Sequence, residues 1–265
     1  SSRRAVVDFV DVCVNKDTNV PVTARNGLAD LLQQVCSQFD WRLDRNRPIL
    51  LNRDDPIAEA INNTRSRAFE SLVNFGFWIR RHLPEDNLPE VTGIIEKRIA
   101  NDAEIPLTRP ERALLGMHFG NLCALDRDWA AQRREIFFPR ENDAVWRDAF
   151  GSYIRFNQPA KLTFEILRDE FECAIENLNT LSADNDTRKE FIERLGQYFF
   201  AFYLWGVIPL RGDGSLLALF YTKTNGDRKR WAELFDHVGC SLRNCGRNLD
   251  KALIDRTIAF FDWRL

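Results

Sequence analysis

Apolar residues return at three- and four-residue spacings along nearly the whole chain, from Arg3 to Arg264, and short polar breaks separate the runs. That period is the mark of amphipathic helices, and scarcely a stretch alternates as a strand would. The spacing predicts a first helix over 3–14, with Val6, Phe9, Val10 and Cys13 on one face. A second covers 23–39, capped by Thr23, with Leu28, Leu31, Leu32, Val35 and Phe39 inward. Residues 40–52, rich in Arg, Asp and Asn and holding Pro48, read as a loop. Pro56 then opens a long helix, since proline is accepted in a first helical turn, and His82-Leu83-Pro84 closes it.

A shorter helix over 88–101 precedes Thr108-Arg109-Pro110-Glu111, which has the form of a capping box. The helix it starts carries Leu114, Leu115, His118, Phe119, Leu122 and Leu125. A brief helix over 128–138 stops at Pro139, and further ones cover 143–156, 161–178 and 187–207. Beyond a turn at 211–214, the pattern predicts helices over 215–222, 227–242 and 248–263. Sequential helices on short links give an all-α expectation: an α-solenoid-like stack of antiparallel helical hairpins, with no repeat of fixed period. The whole of 1–265 reads as one helical domain with a soft subdivision near 139–142.

The bulk numbers narrow the function classes. A chain of 265 residues can bury a substantial core, and its 45% hydrophobic and 29% charged content is ordinary for a globular protein. A formal net charge of -2 supplies no global field to draw the chain onto nucleic acid or an anionic membrane. The longest apolar run, 198–210, is shorter than the ~20 residues a bilayer requires and ends at Pro209, so no membrane partner is expected. Ser1-Ser2-Arg3-Arg4 resembles neither a natural start nor a secretory signal, and the chain reads as a fragment of a larger cytoplasmic protein. Six cysteines form no Cys-x-x-Cys pair, and only three histidines accompany them. No metal and no cofactor is therefore expected, and the thiols are expected to be reduced.

Candidate chemistry is sparse. Gly212-Asp213-Gly214 lacks both the lysine of a Walker motif and a preceding strand, and reads as a helix-to-helix turn with an Asp cap. His118 sits at core spacing with Leu114 and Leu122, and His237 stands among Trp231, Leu234 and Val238 with nothing to activate it. No nucleophile elbow, His-Glu-x-x-His or paired Glu-x-x-His motif is present, so no catalytic residue is assigned and no enzyme is expected. Arg80 and Arg81 form either a docking edge or the favourable cationic end of a helix. Trp41 and Trp129 fall in or beside polar breaks, as recognition aromatics or as packing under loops. Arg228-Lys229-Arg230 precedes Trp231, either as a backbone-binding cluster or as a solvated helix start; nucleic acid is not the expected partner. These seven residues are the candidate protein-binding set.

Four stretches carry a family resemblance: 54–63 (Asp54-Asp55-Pro56 onward), 67–72 (Arg67-Ala68-Phe69-Glu70-Ser71-Leu72), 107–112 and 146–150. They resemble the helical C-terminal region of bacterial anti-phage defence proteins, both sirtuin-like ones and signal-transducing ATPases with numerous domains. The resemblance implies a non-catalytic sensor module that recognises a protein, phage-encoded in such systems, beside N-terminal effector or ATPase domains of the same chain. It brings no catalytic motif and carries over no site residue. Two other roles remain open on the residues alone: an oligomerisation scaffold, or a helical nucleic-acid-binding or enzymatic domain.

Overall fold

A computed structural model describes residues 2–37, 56–62, 64–100, 107–178, 185–224 and 250–264. The described residues are helical without a strand, in line with the period of the sequence. They gather into two compact units, Ser1–Phe156 and Asn157–Leu265. The first holds α1 (Ser2–Val14), a short 3-10 turn at Val22–Ala24, α2 (Arg25–Ser37), α3 (Pro56–Asn62), α4 (Thr64–His82) and α5 (Pro89–Ile99). It continues with α6 (Arg109–Leu125), α7 (Arg127–Gln132), α8 (Arg134–Phe137) and α9 (Asp143–Phe156). The second holds α10 (Lys161–Glu176), α11 (Asn185–Leu204), α12 (Leu216–Lys223) and α13 (Lys251–Arg264).

The centre of the first unit is α6. Its start is the expected capping box: the Glu111 carboxylate accepts from the backbone N–H and the hydroxyl of Thr108, both at 2.8 Å. Leu114, Leu115, Phe119, Leu122 and Cys123 put apolar side chains around most of its circumference, and all are buried. A helix apolar all round must be enclosed, and α6 packs against α3, α4, α7, α8 and, most extensively, α9. Closest approach comes at Gly116, where a Cβ would stand 2.0 Å from the Ala149 carbonyl oxygen. Phe119, Phe137, Phe138, Phe150 and Tyr153 form an aromatic cluster over this contact, for instance Phe119–Phe138 with ring centroids 5.0 Å apart. Helices here also reach past their chain neighbours: α1 lies on α4 as well as α2, and α2 touches α5. The hairpin-stack expectation thus meets, in this unit, an assembly gathered about one buried helix.

The division of the chain falls after Phe156, whereas the break at 139–142 stays inside the first unit. Phe137, Phe138 and Pro139 are buried, and the Phe138 ring sits 5.9 Å from Phe150 beyond the break. A proline stops a helix without parting the core that its neighbours share.

Two local expectations are corrected. Thr23 does not cap α2; it lies within the 3-10 turn that leads into the helix, preceded by extended Pro21. Asp213 does not cap α12 either. Ser215 does so, its hydroxyl accepting from Ala218 N at 3.1 Å, while Gly212 and Gly214 at φ +82 and +77 make the turn before it.

In the second unit, Phe164 and Phe171 of α10 pack on Phe202 of α11, with centroids 4.3 Å and 5.4 Å away. Phe200 of the same helix meets Phe260 of α13 at 4.8 Å. Arg256 of α13 caps the far end of α11 by donating to the Leu204 carbonyl at 2.8 Å. It passes so close to Gly206, at φ +69, that a Cβ there would lie 2.6 Å from the guanidinium.

Candidate recognition surface

The candidate site is built on α1. More apolar side chains crowd this helix than one face can hold, so the sequence permits more than one inward stripe. The structure buries Val7, Val10, Cys13 and Val14 against α2 and α4. Phe9, expected inward, instead points to solvent at 55% exposure, and Val12 beside it is 62% exposed. Packing decides the rotation of the helix, because four short side chains fit between α2 and α4 where a phenyl ring does not have to. Ala5, Phe9 and Val12 follow i, i+4, i+7 and so share one face, an apolar strip on the order of 10 Å long. Phe9 and Val12 are thus contiguous on one exposed helical face.

Polar contacts hold α1 in that rotation. Ser71 of α4 donates to Asp11 at 2.5 Å, and Arg67 reaches both Asp11 at 3.3 Å and Asp8 at 3.4 Å. At the end of the helix, Arg81 donates to the Val14 carbonyl at 2.5 Å. Burial raises the Asp11 carboxyl above the usual carboxylate range against the lowering effect of the Ser71 hydrogen bond. Glu70, half-buried one helical turn from Arg67, is raised by its own burial and by the Asp11 charge.

The residues singled out from the sequence take framework positions. Arg80 donates to the carbonyls of Pro84 and Leu125, tying the ends of α4 and α6 together. Arg81 closes α1 as described. Trp129 donates from its indole to Glu96 at 2.6 Å, beside Arg133, and its ring lies 5.9 Å from Phe137. The structure places Arg80 and Arg81 at the cationic end of α4 and Trp129 in the first turn of α7, against Glu96 of α5 and Phe137 of α8. It does not gather the three into one patch with Phe9 and Val12. Trp41 and Arg228, Lys229 and Arg230 lie outside the described residues, as do the helix expected over 227–242 and His237.

The buried titratable groups act on stability. His118 accepts from Asn121 through Nδ1 at 3.1 Å, which leaves its proton on Nε2, a buried atom without a hydrogen-bond partner among the described residues. Burial pushes its pKa down to about 4. As pH falls below about 6.5 the unfolded chain takes up this proton and the folded one does not. Stability should accordingly drop by about 3 kcal/mol between the ordinary histidine range and pH about 4, then cease to depend on this group. Urea titrations of the protein and of His118→Leu across that window check this; an equally steep loss in the variant would assign it elsewhere. Burial likewise lifts the Cys123 thiol to about 12, which makes it an inert core side chain.

Among the described residues no group of three or more His, Cys, Asp or Glu is placed to hold a metal ion, and no helix is long and apolar enough to cross a membrane. Position 9 was legible in the sequence only as an apolar residue; the surplus of apolar positions on α1 was the available signal. No family model, curated protein or solved structure matches this chain.

Proposed function

We propose that the chain is a non-catalytic protein-recognition module, the sensor part of a larger bacterial antiviral defence protein acting in the cytoplasm, and that the outer face of α1 meets a phage-encoded protein. One observation carries the recognition reading: Phe9 and Val12 stand exposed on a helix whose opposite face is buried and whose rotation is fixed by Arg67, Ser71 and Arg81. Aromatic side chains held rigidly at a surface lose little freedom on binding, which suits them to anchor an interface. The defence context rests on the resemblance of 54–63, 67–72, 107–112 and 146–150 alone. In the fold Ala68, Phe69, Leu72, Trp146 and Phe150 are core residues and Thr108 and Glu111 cap a helix, so these stretches speak for a shared framework and name no site.

The test is Phe9→Gln with Val12→Gln in the full-length defence protein, which removes the apolar strip without adding carboxylates beside Asp8 and Asp11. Both positions face solvent, so the unfolding midpoint should stay within about 0.5 kcal/mol of the parent while protection against phage is lost. Undiminished protection would remove the reading. A second role, oligomerisation scaffold, draws on Ile254 and Ile258, exposed by 41% and 54% one turn apart on α13. It predicts self-association in light scattering that Ile254→Asp abolishes.

A further inference from the structure

Around Asp11 the contact between α1 and α4 contains more negative than positive charge, since Arg81 of α4 is engaged with the Val14 carbonyl at the end of α1. Arg4 pairs with Asp8 at 3.2 Å, and Arg67 is shared between Asp8 and Asp11 at 3.4 and 3.3 Å. Glu70 lies on the same side of α4 as Arg67, one turn on, half-buried and with neither a hydrogen bond nor a cation of its own among the described residues. Three carboxylates thus face two guanidiniums, and the one left over sits where water is partly excluded. The other charged groups around these helices are committed elsewhere or turned away: Arg25 of α2 holds Asp86, in the link between α4 and α5, and Glu90 of α5, and Asp30 of α2 is exposed.

We propose that the α1–α4 seam is a proton-sensitive joint, in which Glu70 is a negative charge without a counter-charge among the described residues, beside the contacts that Arg67 and Ser71 make with Asp11, and α1 docks more tightly when Glu70 takes up a proton. The upward displacement of both carboxyls agrees in sign. A group raised in the folded state binds its proton there first, so its stabilising effect is complete below the ordinary carboxylate range and fades as pH climbs through the raised value. The joint therefore sets how firmly the helix bearing Phe9 and Val12 is held, independently of what those residues meet.

Glu70→Gln removes the surplus charge and keeps the shape. At neutral pH its urea midpoint should lie above that of the parent, and the gap should close as pH falls through the ordinary glutamate range toward about 3, where the parent's carboxyl is protonated in both states. Amide exchange should show the gain within α1: on acidification, protection there should rise in the parent relative to the variant, above the loss from His118 that both proteins share. Asp11→Asn, which keeps an oxygen for Ser71, should flatten the same dependence. A Glu70→Gln midpoint below the parent at neutral pH, or a gap that does not change with pH, would overturn the proposal.

Discussion

Gly116→Ala should unfold the first unit or come close to it. The added Cβ would lie 2.0 Å from the Ala149 carbonyl oxygen and 2.7 Å from its carbonyl carbon, with backbone and not a flexible side chain in the way. Relief requires α6 and α9 to move apart, which opens the aromatic cluster of Phe119, Phe138, Phe150 and Tyr153 that both helices share. Overpacking of a well-filled core costs about 1–3 kcal/mol when side chains can adjust, and a backbone clash should exceed that range. Opposing it is the helix preference of alanine over glycine, about 1 kcal/mol. The clash wins. Gly151→Ala in α9 is the matched control, because nothing lies within 4 Å of the methyl group it would add and only the propensity gain of about 0.5–1 kcal/mol remains. Denaturant titration of the two variants should move the midpoint in opposite directions; a Gly116→Ala protein as stable as its parent would show that α6 and α9 do not approach this closely.

Glu111→Ala should be the next most damaging change. The side chain is fully buried, and its carboxylate accepts from Arg98 Nε at 3.0 Å and Nη2 at 2.9 Å while also capping α6 through Thr108. Removing it takes both of these bonds from the buried Arg98 guanidinium, and breaking a buried pair from one side costs about 3–5 kcal/mol. Loss of the cap adds about 1 kcal/mol. Replacing both partners, Arg98→Met with Glu111→Leu, removes the buried charge together with its counter-charge and should recover most of the first part but none of the second. Urea unfolding of the single and double variants measures the difference. If the double variant were no better than Glu111→Ala, the pair would owe its effect to the cap alone.

Both predictions concern residues whose importance the sequence showed unequally. Glu111 was legible because a capping box is a contact between positions three apart, and Thr108 lies beside it in the chain. Its partnership with Arg98 was not, since it depends on how α5 meets α6. Gly116 looked like a weak point within a helix, and only the approach of Ala149 from a segment 33 residues later turns it into a requirement. Arg80, Arg81 and Trp129 had readings as docking residues and as framework; the carbonyls of Leu125 and Val14 and the Glu96 carboxylate, all remote in the chain, are what they touch. Phe9 shows the limit most clearly. Residues 6, 9, 10 and 13 form as good a stripe as 7, 10, 13 and 14, and periodicity has no means of choosing between them.

The sequence by itself determined where most of the described helices lie, because a helix closes its hydrogen bonds within four residues and its caps and prolines act over one turn, although 128–138, which reads as one helix, forms two, α7 and α8. It also determined the all-α class, since that follows from the period of apolar positions. The tertiary structure alone decided which stripe of α1 faces inward, that α6 lies at the centre of its unit, and that the division falls after Phe156 and not at the proline break. Those outcomes depend on burial, and burial is a property of the partner surface, contributed here by residues tens of positions away.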